Sequence, residues 1–197
     1  MSKAPSKPRV LPPAGSFPAR VTRIIYLGTI KGEYKGVPNE SFKVSITWEL
    51  PTKLHVFKEG EAEKPFVVSK MFSHSMGKKS SLRPVIEGML GVSFTDDEAY
   101  GFDLDDILGQ VCLVGIAHKD TPDGKRAEIK SFSQLPEGLI VPAAINASKI
   151  LSYEKFDKEL FMTLPNWMKE EMEKTPEYQK LFGTEVQESI SPDEIPF

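Results

Sequence analysis

Residues 41–50, SFKVSITWEL, alternate without a break: Phe42, Val44, Ile46, Trp48 and Leu50 fall on one side, and Lys43, Ser45, Thr47 and Glu49 on the other. Side chains of a strand repeat every two residues, so this run predicts a half-buried strand with one face on a core. Trp48 lies on the apolar side and is read as a core residue. Residues 18–30 (PARVTRIIYLGTI), rich in Val, Ile, Thr and Tyr, predict a preceding strand, with Gly28 at a bulge or sharp bend. Residues 65–75 (PFVVSKMFSHS) predict a third. The segments between them, KGEYKGVPNE at 31–40 and the charged run 51–64, read as a loop and a hairpin excursion.

The period then changes. In residues 80–90 (SSLRPVIEGML), Leu82, Val85, Ile86 and Met89 stand at helical spacing. Ser80 or Ser81 offers an N-cap, Pro84 suits the first turn and Gly91 a stop. An acidic connector, 92–109, leads to two further strands, 110–118 (QVCLVGIAH) and 125–134 (KRAEIKSFSQ), with KDTPDG as the turn between them. Three strands, a helix and two strands predict a mainly β fold: a five-stranded OB-fold barrel with the helix between strands three and four. Its ligand surface would lie on strands two and three and on loops 1–2 and 4–5.

The pattern divides the chain into four parts. Residues 1–16, with four prolines, form a flexible basic arm, and 17–134 form the barrel. Residues 135–182 form an extension with short helices, one begun by Pro165 and another by Thr175-Pro176-Glu177. It is expected to pack on the barrel through Phe161, Trp167, Tyr178 and Phe182. Residues 183–197 form a polar, acidic tail too poor in apolar residues to bury a core.

Charge is distributed unevenly. Residues 1–90 carry 15 Lys and Arg against 7 Asp and Glu, whereas 91–150 carry 5 against 10 and 151–197 carry 5 against 11. A basic front and an acidic end suit a phosphate-binding surface joined to an interaction tail. No apolar stretch follows the basic start and no later run is long enough to span a bilayer, so a cytosolic, reducing setting is expected.

Catalysis finds no support: the chain has no nucleophile elbow, P-loop, dinucleotide fingerprint or His-Glu-x-x-His. Cys112, the sole cysteine, falls in an apolar strand and is read as a buried, inert thiol. His55, His74 and His118 lack metal-ligand spacing. The acidic residues 96–106 match no calcium loop and are read as caps and solvated turns. No catalytic residue, metal, cofactor or small-molecule substrate is expected.

Single strands are held by a basic groove interleaved with aromatic faces on which bases stack. On strand three, alternation groups Phe66, Val68, Lys70, Phe72 and His74, and this face continues into Lys78, Lys79 and Arg83. It is read as the ligand face, with Val67, Ser69, Met71 and Ser73 turned inward; the exchanged assignment puts Phe72 in the core. Strand two offers Lys43, Ser45 and Thr47. Loop 1–2 supplies Lys31, Tyr34 and Lys35, and loop 4–5 supplies Lys119, Lys125 and Arg126. Tyr34 and Phe72 would stack bases while the cations neutralise phosphates.

The chain ends Asp193-Glu194-Ile195-Pro196-Phe197, two acids and an apolar plug with a free carboxylate, a form suited to capture by a basic-rimmed pocket. This tip resembles the partner-recruiting end of bacterial single-stranded DNA-binding proteins. The body is similar to a bacteriophage-encoded family of OB-fold single-stranded DNA-binding proteins. That resemblance rests on WELP at 48–51, SKMFSHSMGKKSSLRPVIEGMLGVSFT at 69–95, GFDLDDILGQVCLVGIAH at 101–118 and LPNW at 164–167, and spans roughly 15–170. It implies coating of single strands in phage replication, recombination or repair within the host bacterial cytoplasm. The tip points separately to host replication and repair proteins as partners. Two rivals stay open: an RNA-binding OB module, and a protein-interaction factor, such as an inhibitor of host nucleases, that uses the barrel as a scaffold.

Overall fold

The computed structural model describes residues 10–34, 36–122 and 124–183. Six strands, β1 (Gly15–Tyr34), β2 (Val37–His55), β3 (Lys64–Ser73), β4 (Val111–Thr121), β5 (Gly124–Ser133) and β6 (Lys149–Leu151), form one sheet. Its order is β3-β2-β1-β4-β5, all antiparallel, with β6 added parallel to β1. Among the described residues five α-helices accompany the sheet: α1 (Arg83–Leu90), α2 (Asp96–Gly101), α3 (Lys158–Met162), α4 (Asn166–Glu173) and α5 (Pro176–Phe182). None of the described helices is long and apolar enough to cross a membrane.

The mainly β class agrees with the sequence; closure does not. β3 and β5 form the two edges, and no ladder joins them. The sheet nonetheless curls around a core on one of its faces, where the Trp48 ring of β2 lies 4.8 Å from that of Phe132 on β5. Val44, Ile46, Trp48 and Leu50, alternate residues of β2, are all buried in this core. α1 sits over β4 and β5 and adds Ile86 and Met89 to the core. Pro84 falls in its first turn, and Gly91 ends it with the left-handed backbone (φ 68°) that glycine adopts without strain. Ser80 does not cap it in the expected way: Leu82 holds the cap position, and the Ser80 hydroxyl accepts from the Arg83 N–H.

Two expected loops are extended instead. Residues 31–34 and 37–40 continue β1 and β2 as a paired ladder that turns at Gly36, and β4 and β5 pair out to Thr121 and Gly124. Backbone pairing thus overrides the glycine, proline and asparagine of KGEYKGVPNE. The acidic connector holds α2, begun by a Thr95–Glu98 capping box, and a short 3-10 turn over Leu104–Ile107 capped by Asp103.

β1 is shared by two cores. Bulges between Val21 and Arg23 and between Tyr26 and Gly28 re-aim its side chains. Val21 and Ile24 face the core just described. Ile25 and Leu27 face a second one, built with Leu151, Leu160, Phe161, Leu164, Met168 and Met172 of the C-terminal segment. Gly28 lets α5 approach: its φ is 92°, and a Cβ there would lie 2.9 Å from Thr175 and Glu177. A strap, residues 134–148, crosses between β5 and β6. Arg20 donates to the Pro142 carbonyl, and the buried Glu49 carboxylate accepts from Ile145 and Asn146.

Candidate nucleic-acid interface

The ladders fix which residues of β1, β2 and β3 share the outward face. Arg23 stands opposite Thr47, which stands opposite Ser69. The next outward row is Ile25, Ser45 and Met71, and beyond it come Lys43 and Ser73. This reverses the expected faces of strand three. Phe66, Val68 and Phe72 point into the core, and Val67, Ser69 and Met71 point out. Phe72 is 2% exposed with its ring 6.5 Å from Trp48, so it offers no face to a base. The cause lies in β2: Phe72 pairs with Val44 and Val68 with Trp48, so the apolar side of β2 dictates the inward side of its neighbour.

Pro165, Trp167 and Met168, at the start of α4, cover part of this outward face. Between them and the sheet lies a pocket of about 290 Å³. Its floor is Ser45, Thr47 and Ser69, with Thr47 and Ser69 hydroxyls 2.8 Å apart; Ile25, Met71 and Met168 give it apolar walls. Ser45 and Thr47 are buried here, although an alternating strand would leave them in water. Trp167 does not pack fully on the sheet as expected: it stands at the rim, 50% exposed. Phe161 and Tyr178 do pack there, and the Phe182 ring lies 4.7 Å from that of Tyr178.

Arg23 also lines the pocket. Among the described residues its guanidinium makes no hydrogen bond or ion pair, and burial alone pulls its pKa below the ordinary value. Lys149, its register neighbour on β6, is exposed beside it. A partly desolvated cation without a counter-charge is costly, and an anion drawn to it relieves that cost. Neither Arg23 nor the exposure of Trp167 was singled out from sequence. The available signal was one arginine inside an otherwise apolar strand, VTRIIY.

The other expected contacts scatter. Arg83 is pinned: it donates to Glu87 and Asp96 at 3.0 Å and to the Phe94 carbonyl, and its side chain is 12% exposed. Its hydrogen bonds are spent within the protein, so it is withdrawn from the phosphate-binding set. Lys78 is exposed but pairs with Asp96 at 2.8 Å, and Lys79 is exposed. Lys31 lies 3.8 Å from Glu40 on the β1–β2 hairpin, and Tyr34 ends β1. Lys43 donates to Ser73 at 2.9 Å. Lys70 borders the pocket, its ammonium 5.6 Å from the Phe72 ring centre.

His74 packs against Tyr26 and Phe42, 5.3 and 5.7 Å between ring centres. Partial burial of the ring lowers its pKa against the opposing pull of Asp105 and Asp103, which favours the neutral form. Lys119, Lys125 and Arg126 are exposed together on the β4–β5 hairpin. Lys35 and the tip Asp193, Glu194, Ile195, Pro196 and Phe197 lie outside the described residues.

No model of a known protein family matches the chain, and no curated protein matches it significantly.

Proposed function

We propose that the chain is a non-enzymatic, single-stranded DNA-binding protein that takes up strands with little regard to sequence. The observation that carries the reading is the outward face of β1–β3. It combines a guanidinium without a partner among the described residues, a floor of hydroxyls and a half-exposed indole. A strand with free bases needs such a surface: cations for phosphates and an aromatic face for stacking. Hydroxyls both donate and accept, so they suit any base edge and favour sequence tolerance. The strand order, with α1 between β3 and β4, supports an OB-type barrel opened between β3 and β5, whose ligand side is that of strands two and three. The exposed cations of the two hairpins, Lys31, Lys119, Lys125 and Arg126, would extend the basic track. The acidic tip Asp193–Phe197 would recruit replication or repair proteins once strands are coated.

The test is fluorescence anisotropy of a labelled oligo-dT about 30 nucleotides long, titrated at two salt concentrations with duplex and matched RNA competitors. Tight binding that ignores duplex is expected. Its logarithm should fall with the logarithm of salt at a slope of about -0.7 per phosphate neutralised. Absence of binding at low salt overturns the reading, and preferential displacement by RNA favours the RNA-binding alternative.

A further inference from the structure

Resting on that reading, we infer that the pocket between the outward face of β1–β3 and α4 takes a single nucleobase turned out of the strand, with Trp167 as its stacking face and Arg23 holding the adjacent phosphate. The C-terminal segment would then form one wall of the DNA site rather than a separate appendage.

Size argues first. A volume of about 290 Å³ is at the lower limit of small-molecule pockets, which run from about 300 to 1,000 Å³. It accommodates one flat ring system and excludes a drug-sized ligand. Shape and chemistry follow. Met71 and Trp167 are 43% and 50% exposed, and both border the opening. A thioether and an indole together offer a base two soft, polarizable surfaces. Below them Ser45, Thr47 and Ser69 present hydroxyls to an edge that enters. The Thr47–Ser69 hydrogen bond uses one donor of that set, which leaves acceptor and donor capacity for the guest.

Charge then places the backbone of the strand. Arg23 is the pocket's guanidinium, and Lys149 stands next to it in the β1–β6 register. A phosphate there gains two cations without displacing an acidic partner, since among the described residues no Asp or Glu lines the pocket. Arg83 and Lys78, by contrast, would have to give up Glu87 and Asp96 to bind one.

The two tryptophans make the test direct. Trp48 is fully buried and Trp167 half exposed, so an emission change on binding reports Trp167 alone. Wild type, Trp167→Ala, Trp167→Phe and Arg23→Gln are each titrated with labelled oligo-dT by anisotropy. The first three are also titrated with unlabelled oligo-dT by tryptophan emission. Circular dichroism confirms that each variant is folded.

Wild type is expected to bind with quenched emission. Trp167→Ala should weaken binding roughly 5- to 100-fold, the effect of losing one base stack. Trp167→Phe should keep affinity within about threefold yet lose the quench. Arg23→Gln should weaken binding and reduce the salt slope by about 0.7, one phosphate contact. If wild type binds while Trp167→Phe still shows the quench, or Trp167→Ala and Arg23→Gln bind like wild type, the pocket assignment is overturned and the DNA-binding reading survives. If wild type itself fails to bind, both fall.

Discussion

Glu49 on β2 holds Asn146 of the strap by two hydrogen bonds to one carboxylate oxygen, the backbone N–H at 2.8 Å and the side-chain amide at 2.6 Å. The other oxygen accepts from the Ile145 N–H at 2.8 Å, and the carboxylate is fully buried. A charge taken from water is tolerable only when its lone pairs are filled, and three donors do this here.

Removing that acceptor strands its donors. Glu49→Ala is expected to cost about 2 kcal/mol, because three part-buried N–H donors lose their carboxylate acceptor and the strap loses its anchor. Urea unfolding at neutral pH measures it; a loss below about 1 kcal/mol would mean that water replaces the carboxylate readily.

Glu177 carries a pH dependence. Burial disfavours its charge, but the Thr29 hydroxyl and backbone N–H, at 2.6 and 2.9 Å, outweigh burial and hold its pKa below the usual glutamate value. A carboxyl with a lower pKa folded than unfolded adds stability above its unfolded value, about 4.3, and loses it as pH falls through the folded one. Glu177→Gln should therefore cost about 1 kcal/mol at pH 7. The gap between variant and wild type should close as pH falls from about 5 through the folded value. A gap that stays constant in a urea series over that range would assign the loss to packing.

Arg83 separates structure from binding. It ties the start of α1 to Glu87, Asp96 and the Phe94 carbonyl. Arg83→Ala is expected to lower the melting temperature by several degrees. Affinity for oligo-dT should stay within about twofold, since a charge already paired adds little outward field. A large loss of affinity in a folded variant would return Arg83 to the interface.

Cys112 should be silent. Burial pushes its thiol up to about 12, so the reactive thiolate is a population of about one in ten thousand at pH 8. An aromatic disulfide reagent at pH 8 is expected to titrate no thiol in the native protein and one in guanidinium. Rapid native reaction would reveal opening of β4.

The parts of this fold legible in sequence are those decided by neighbours along the chain. The alternation of 41–50 placed Trp48 in the core, and Pro84 and Gly91 bracket α1 as their backbone preferences require. What escaped depends on pairing across the chain. Strand three has apolar residues on both sides, Val67 and Met71 against Val68 and Phe72, so only its register with β2 decides the faces. The loop reading of 31–40 failed because ladder hydrogen bonds outweighed weak local turn signals. The pocket could not be read locally at all: Arg23 and Trp167 are brought together by β1 and α4, far apart in the chain.

Ile24 and Ile25, consecutive on β1, belong to different cores. That single alternation makes the protein poorly divisible. A shortened version ending at the last residue of β5 would leave Ile25, Leu27 and Ile30 as an aliphatic ribbon on a central strand, a surface that invites association between copies. In native hydrogen exchange, the mid-β1 amides should be the slowest in the molecule, since releasing them requires both sides of the strand to be uncovered at once.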